Sequence, residues 1–340
     1  MAVMICAVAL FTAAILAAAG APPTAAFVQI LKGSLGSWSK FGHVIKAWIP
    51  LTLCAAGLLF TFRIGLWNIG IEGQVILGAV MTTAVMRAGT ASLDADLVLI
   101  MAFAAGAAGG ALWAIAAGLL KTHGGVHEIF AGLGLNFVAQ GLALWLIFGP
   151  WKRPGVASMS GTEVFPRSLW LFQFTGLRIS PVGLALAVGA IVVTAMVLGR
   201  SRMGLNLRAI GSNPRAAVLF GLRPSRFMVL AMAFAGCLAG LAGSVQVAGV
   251  YHRLIPSISS NYGYLALLVV MLANYNVWAV APIALFFACL NVGSIQLPMV
   301  LRLDSSLSGV IQGALVLATL AVQAWRAHKR RQGRIGGLAD

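Results

Sequence analysis

Residues 97–120, LVLIMAFAAGAAGGALWAIAAGLL, contain no charged side chain. At a rise of 1.5 Å per residue, a helix of this length extends about 36 Å, and the hydrocarbon core of a bilayer is about 30 Å thick. The apolar residues are continuous and do not alternate with polar ones, which argues against a strand of a barrel. The segment therefore predicts a transmembrane helix.

Charge-free runs of comparable kind recur along the whole chain. The longest of them is too long for one helix, and the polar triplet 274–276 followed by Pro282 predicts a turn that divides it in two. With that division the sequence predicts ten transmembrane helices and an all-α integral membrane protein. The runs are 1–20, 47–62, 73–86, 97–120, 129–149, 181–199, 227–251, 254–301 and 305–325.

The composition leads to the same class of protein. Of the 340 residues 60 % are hydrophobic and 9 % are charged, with a mean hydropathy of +0.96, whereas soluble domains are about 25 % charged. This excludes a soluble enzyme, a disordered protein and a disulfide scaffold. Cys6, Cys54, Cys237 and Cys289 each lie alone in an apolar run, so neither a disulfide framework nor a metal site is predicted.

The distribution of basic residues predicts the orientation. The net charge is +16, and its densest parts are residues 200–226, with six arginines and no acid, and the basic C-terminal tail. Such an excess in a membrane protein indicates cytoplasmic loops rather than a nucleic-acid partner. With ten spans both segments fall on one side, so both termini are predicted to be cytoplasmic. We expect one polytopic domain over 1–326 and a basic cytoplasmic tail over 327–340.

Residues 1–20 allow two interpretations, a first membrane span or a signal peptide. The alanines at 17–19 resemble a cleavage site, but no Lys or Arg precedes the apolar stretch as a signal peptide requires. Residues 21–44 and 150–179 are predicted to be the two longest loops between spans on the non-cytoplasmic side.

Three strongly polar side chains, Asn68, Glu72 and Gln74, lie within seven residues between two apolar runs. Polar groups at membrane depth are costly and therefore point to function. One interpretation is a broken helix start that lines the path of a solute, as in transporters with discontinuous helices. The other is an interfacial turn in which Arg63 balances Glu72.

For Glu72 itself a solute-binding role and a structural role are both open. In the structural role its carboxylate accepts backbone N–H groups at a broken helix start or pairs with Arg63. We favour this role because a lone carboxylate in the path would hold cationic solutes too strongly.

Asn261 opens a later span within Asn-Tyr-Gly and repeats the Asn-x-Gly pattern of residues 68–70. In the ten-span topology the two helices run in opposite directions, which inverted repeats would produce. Asn136, with Gln140 one turn later, is predicted to face the protein interior. The candidate residues of the solute pathway are Asn68, Glu72, Gln74, Asn136 and Asn261.

A second polar cluster holds Lys121, His123, His127 and Glu128. The two histidines have the i,i+4 spacing of helical metal ligands. However, glycines at 124 and 125 argue against one continuous helix. We therefore interpret the cluster as a cytoplasmic turn and predict no metal site and no cofactor.

Gly236, Gly240 and Gly243 are spaced by four and three residues along one helix face. Such a stripe of small residues is typical of close helix packing in membranes. The sequence contains no P-loop, nucleophile elbow or pair of catalytic carboxylates. We therefore expect that this chain is not an enzyme.

Residues 203–222 form the most informative loop. Asn213 is a possible helix cap and Pro214 has the first helical position, so a short helix over 214–220 is predicted, ended by Gly221. A short helix outside the bilayer between two spans is typical of a docking element for a cytosolic partner. The alternative is a solvated basic loop that touches anionic lipid.

Several of these segments resemble one family, and the resemblance extends from about residue 40 to 325. GLWNIGIEGQVILGA closely resembles the signature GLFNIGAEGQ of bacterial ABC-importer permeases of the ribose and branched-chain amino-acid type. The form EGQ, the HE…LN segment and the length are most similar to the nucleoside branch. The matching segments are GLWNIGIEGQVILGA (65–79), GVHEIFAGLGLN (125–136), LRAIGSNPRAAVLFGL (207–222), GCLAGLAGSVQVAGV (236–250) and NYGYLALLVVMLA (261–273).

The resemblance implies partners as well as a function. It implies a multi-pass permease of the bacterial plasma (inner) membrane that imports nucleosides delivered by an extracytoplasmic substrate-binding protein. A second, related permease and cytosolic ATPase subunits would complete the importer, and membrane lipid would surround it. The residues expected to couple to the ATPase are Arg208, Gly211, Asn213, Pro214, Arg215, Ala216, Ala217 and Gly221.

Other functions stay open at the level of sequence. The solute could be a simple sugar or another small polar molecule. A secondary transporter driven by an ion gradient normally needs intramembrane acids, and only Glu72 and Glu128 qualify here. A membrane-embedded enzyme has no catalytic constellation to support it.

Overall fold

The computed structural model describes residues 10, 23–89, 93–153, 155, 161–174, 176–295 and 313. These residues form helices joined by turns and irregular segments, and no β-strand occurs among them. The α-helices in chain order are α1 (Pro23–Leu35), α2 (Trp38–Arg63), α3 (Ile71–Gly89), α4 (Ala95–Thr122), α5 (Glu128–Phe148), α6 (Pro181–Arg200), α7 (Arg202–Ser212), α8 (Pro214–Leu219), α9 (Pro224–Val245), α10 (Tyr262–Leu272) and α11 (Val277–Ser294).

Among the described residues, six helices are long and apolar enough to cross a membrane, which makes the chain a multi-pass membrane protein. They are α2, α4, α5, α6, α9 with its continuation to Tyr251, and α11. Helix α3 also lies on a predicted span but carries Glu72 and Arg87, and α10 has only 11 residues. The total of ten spans stays a prediction, because the segments 1–20 and 305–325, like the tail 327–340, lie outside the described residues.

One prediction about the loops is wrong. Residues 21–44 were expected to be a loop, but α1 occupies Pro23–Leu35 and α2 begins at Trp38. Lys40 lies within α2, and its Nζ donates to the Lys32 carbonyl at the end of α1, at 3.0 Å. A lysine can lie in a helix when its ammonium group reaches acceptors beyond the apolar surface, so it marks a span boundary poorly.

The predicted division of residues 254–301 is confirmed. Helix α10 ends at Leu272 and α11 begins at Val277. Between them Asn274 and Tyr275 have positive φ angles of 52° and 60°. Left-handed backbone at successive residues ends a helix, so the polar triplet forms the turn.

The chain divides into two compact units. The first comprises residues 1–47 and 285–340, and within it the backbone at Gly293 of α11 lies directly against the Ile30 carbonyl of α1. The second comprises residues 48–284 and contains all the predicted pathway and coupling residues.

The core of the second unit is a close contact of α3, α4 and α9. Gly236 and Gly240 of α9 lie against the carbonyls of Gly110 and Gly106 of α4, so that a Cβ atom would collide with backbone. Gly243 of α9 lies equally close to the backbone of α3. The predicted packing role of this glycine stripe is confirmed, since only glycine allows helix axes to approach so closely.

The segment after α5 folds back against the end of α9. In residues 161–174, a 3-10 helix over Arg167–Leu169 is followed by Trp170, whose indole stacks on His252 at 3.7 Å between centroids. Leu171 N–H also donates to the Ala248 carbonyl at 3.0 Å. The described part of residues 150–179 agrees with the predicted long loop, since a 3-10 helix of three residues is its one helical element.

Candidate functional site

Helix α9 does not end in the usual way. It continues as a π-helical turn over Gln246–Tyr251, and the chain then runs irregularly through residues 252–261 before α10 begins. Ser260 and Asn261 have positive φ angles of 50° and 59°, which makes the entry into α10 abrupt. Helix α10 is therefore a short helix whose N-terminus follows a non-helical stretch, and it packs against α3.

The start of α3 is fixed by two amide side chains. Asn68 Nδ2 donates to Gln74 Oε1 at 3.2 Å, and Gln74 Nε2 donates to Asn68 Oδ1 at 2.9 Å. Both side chains are fully buried. Each amide thus satisfies the other, and the pair closes the turn that precedes the helix.

Asn136 of α5 connects three segments of the chain. Its Oδ1 accepts a hydrogen bond from Gly73 N–H at 2.8 Å, and its Nδ2 donates to the Ile69 carbonyl at 3.0 Å and to Tyr264 Oη at 3.1 Å. Gly73 allows this close approach because it has no Cβ atom; a Cβ at this position would press on the Asn136 side chain. The amide therefore holds α5 to the start of α3 and to α10.

Glu72 caps a helix other than its own. Its Oε2 accepts a hydrogen bond from Gly263 N–H at 2.9 Å, in the first turn of α10. The N-terminus of a helix carries free N–H groups and a positive partial charge, both of which stabilise a carboxylate. The broken helix start that Glu72 stabilises is therefore the N-terminus of α10. No ion pair between Glu72 and Arg63 occurs in the described residues.

A cavity of about 270 Å³ lies where α3, α5 and the entry to α10 meet. Three predicted pathway residues, Glu72, Asn136 and Asn261, line it, whereas Asn68 and Gln74 do not. Other lining residues, which sequence reasoning did not select, are Ile76, Phe137, Gln140, Ser257, Ser259, Ser260 and Tyr264. The run of serines after Pro256 was a usable signal, since hydroxyl groups are unusual inside a charge-free span.

The second candidate region is the pair α7 and α8. Asn213 caps α8 as predicted, because its Oδ1 accepts Ala216 N–H at 3.0 Å, and Pro214 has the first helical position. The helix ends at Leu219, and Gly221 follows with φ of 79°.

The predicted coupling residues differ in what they face. Arg208 donates to the Leu198 carbonyl at 3.4 Å, Gly211 lies against the Arg63 carbonyl, and Ala217 is buried. Arg215 is exposed. Among the described residues, the most exposed large apolar side chains are Leu219 at 87 % and Phe220 at 86 %. Sequence reasoning did not select them.

The predicted turn between α4 and α5 is present. Helix α4 ends at Thr122 and α5 begins at Glu128, so His123 and His127 do not share a helix. Lys121 Nζ lies 2.7 Å from Glu128 Oε2, and His127 Nδ1 accepts Ile129 N–H at 3.4 Å as a cap of α5. These polar groups secure the start of α5.

Comparison with known proteins gives a consistent result. A model of the family described as "Branched-chain amino acid transport system / permease component" matches residues 41–320. A glucose ABC transporter permease protein of Haloferax volcanii is 30 % identical over 86 % of this chain and 79 % of its own length. A guanosine ABC transporter permease protein of Bacillus subtilis is 26 % identical over 92 % and 90 %. A nucleoside ABC transporter permease protein of Lactococcus lactis is 24 % identical over 84 % and 80 %.

Proposed function

Because the chain belongs to the family of permease components of branched-chain amino acid transport systems, we propose that it carries nucleosides, with a simple sugar or another small polar solute as the alternative. The chain is a membrane-spanning permease subunit of an ABC importer. The nature of the cargo and the assembly around the subunit are the parts that we propose.

The observation that carries the choice of cargo is the cavity between α3, α5 and α10. Its walls combine one carboxyl group with amides, hydroxyls and the rings of Phe137 and Tyr264. Convergent polar groups in a partly apolar pocket are typical of sites for small polar molecules. Guanosine and glucose, named for two of the relatives, are neutral molecules rich in hydroxyl groups.

We place the pathway through Glu72, Asn136 and Asn261, with Asn68 and Gln74 behind them as a buried support. A permease that bound its solute tightly could not release it. The mostly neutral wall of the cavity suits a weak and transient site.

The assembly follows the architecture of ABC importers. Separate cytosolic ATPase subunits hydrolyse ATP and dock on α7 and α8, where Leu219 and Phe220 extend from the chain. A second, related permease and an extracytoplasmic binding protein complete the importer. In the cell the subunit resides in the plasma (inner) membrane of a bacterium. Residues 200–226 and both termini lie in the cytoplasm, an arrangement that requires an even number of spans and agrees with ten. Closure of the ATPase pair would then move packed helices as rigid bodies.

Uptake by the assembled importer in proteoliposomes tests this proposal. We expect guanosine to enter when binding protein is outside and ATP is inside, and to continue entering when ionophores collapse every ion gradient. Unlabelled glucose as competitor separates a nucleoside importer from a sugar importer. Uptake that requires an ion gradient and ignores ATP would support a secondary transporter instead, and uptake of neither solute would overturn the choice of cargo.

A further inference from the structure

One oxygen of Glu72 has no partner. The side chain is 5 % exposed, Oε2 is engaged by Gly263 N–H, and Oε1 is buried without a hydrogen bond of good geometry to any described residue, although the hydroxyl of Ser259 lies beside the carboxyl group in the cavity wall. A buried polar atom in this condition is destabilising unless something supplies a partner. Since Glu72 also lines the cavity, the partner can come from the cavity.

The surroundings of Glu72 favour a neutral partner over a cation. Among the described residues that line the cavity, Glu72 is the one acid, and no basic residue accompanies it. Its charge already faces the positive N-terminal end of α10, which has 11 residues. A carboxyl group balanced in this way needs a hydrogen bond rather than a second positive charge.

Some neighbours of Glu72 are already occupied, while others remain available. The amide of Asn136 makes three hydrogen bonds, and Gln140 Nε2 donates to the Pro256 carbonyl at 2.8 Å. The side chain of Asn261 makes no cap hydrogen bond to α10. The cavity therefore offers one strong acceptor, Glu72 Oε1, beside the amide of Asn261 and the rings of Phe137 and Tyr264.

A hydroxyl group fits this acceptor in either state of the carboxyl group. It donates to a carboxylate and can also accept from a carboxylic acid. A ring that carries adjacent hydroxyls on an apolar carbon frame would present donors to Glu72 and Asn261 while its C–H face packs on the aromatic rings. Guanine also carries N–H donors, but its N1–H and N2–H groups pair best with both oxygens of a carboxylate at once, and Oε2 of Glu72 is already held by Gly263 N–H.

We propose that Glu72 has two simultaneous roles, in which Oε2 caps α10 and Oε1 binds a hydroxyl of the solute, so that the cavity recognises the sugar ring of a nucleoside rather than its base. This inference rests on the proposed function and specifies which part of the solute the permease contacts. Guanosine and glucose, named for two of the relatives, share such a hydroxylated ring.

The test compares uptake of guanosine, 2′-deoxyguanosine and 2′,3′-dideoxyguanosine by the assembled importer carrying wild-type chain or Glu72→Gln. Glutamine keeps a carbonyl oxygen for Gly263 N–H but replaces the second acceptor by an NH₂ group. We expect wild type to transport guanosine about tenfold faster than the dideoxy analogue, as loss of a hydrogen bond to a charged group implies. In Glu72→Gln the difference should fall to about threefold, because the NH₂ group offers the solute hydroxyl only a neutral hydrogen bond, which is about half as strong as one to a carboxylate.

The matched control is Glu128→Gln, which alters the other buried acid of the described residues at a position away from the cavity. It should retain the full preference for guanosine. Every variant is assayed with the same binding protein, so specificity contributed by that protein cancels in the comparison between variants. An unchanged preference in Glu72→Gln would overturn the inference.

A measurement without mutation covers the case in which Glu72→Gln does not assemble. A hydrophobic carbodiimide modifies carboxyl groups inside membrane proteins, and mass spectrometry reports the extent at Glu72 and Glu128. We expect guanosine and ribose to slow modification of Glu72 severalfold and guanine to have no effect. Equal protection by guanine would overturn the inference, while wild-type uptake of neither guanosine nor glucose would instead overturn the proposed function.

Discussion

Asn136 shows how one polar side chain can determine the local architecture of a membrane protein. Its amide joins α5 to Gly73, Ile69 and Tyr264, which lie on two other segments. With no water inside a bilayer, the backbone groups at a non-helical turn must find partners within the protein. Asn136 supplies two of those partners at the start of α3. Its loss would therefore leave a buried N–H and a buried carbonyl without hydrogen-bond partners.

Replacement of Asn136 by alanine should therefore destabilise the fold. We expect a loss of about 1–3 kcal/mol for each backbone group left unpaired, seen as a lower midpoint in thermal unfolding of the purified chain in detergent. Gln140→Ala is the matched control, since it removes one hydrogen bond from the same helix. Equal stability of the two variants would show that the Asn136 network contributes little.

Polar residues at membrane depth were the part of the site that sequence could identify. Glu72, Asn136 and Asn261 stand out against apolar neighbours, and all three line the cavity. Sequence could not separate them from Asn68 and Gln74, which bond to each other, because hydrogen-bond partners depend on tertiary contacts. Phe137 and Tyr264 carry no such signal, since aromatic residues in a span face lipid, protein or cavity equally well.

At the scale of elements, charge-free runs located the long helices well. They failed at α1 and at the first turns of α2, because Lys32 and Lys40 lie inside these helices. The charge-free run 254–301 also includes residues 254–261, which are not helical, because an apolar run of this kind does not reveal backbone with positive φ at Ser260 and Asn261. Discontinuity inside an apolar run depends on partners such as Glu72, which lies far away in sequence.

The short helix α8 presents an apolar end that the chain itself does not cover. Leu219 and Phe220 are 87 % and 86 % exposed. Burial of a large apolar side chain contributes about 1.5–3 kcal/mol. We therefore expect the double substitution Leu219→Ser with Phe220→Ser to weaken association of the ATPase about tenfold or more, measured by co-purification and by pulldown at graded ATPase concentrations.

Phe172→Ser provides the control for that experiment, because Phe172 is also exposed, at 67 %, and α6 separates its segment from α7 and α8. It should leave ATPase binding close to wild type. If the double variant co-purifies with a full complement of ATPase while folding normally, α8 is not the docking element. The exposed cap formed by Asn213 would in that case serve only to begin α8.

At the scale of the molecule, the direction in which α6 crosses the membrane determines which side each of its two flanking segments faces. One crossing separates the segment 161–174 from α7 and α8, because α6 is the only described span between them. We expect a cysteine at position 215 to react with an impermeant maleimide only in inside-out vesicles, and a cysteine at 172 only in right-side-out vesicles. The background should lack Cys6, Cys54, Cys237 and Cys289.

That labelling experiment has two informative failures. The inverted pattern would place α7 and α8 outside the cell and exclude the ATPase as their partner. Reaction of both positions from the same side would show that α6 does not cross the membrane.

The bond between Glu72 and Gly263 also constrains how the protein can be made. The two residues are 191 positions apart, so the ribosome delivers Glu72 to the membrane long before the helix that it caps. Until α10 arrives, the carboxyl group must be accommodated by water, lipid headgroups or an insertase, and α10 on its own would enter the membrane with its first N–H groups unsatisfied. Biogenesis of this chain is therefore expected to include a late step in which residues 252–272 settle against helices already in place, and nascent chains arrested before that step should be the ones that quality-control proteases remove.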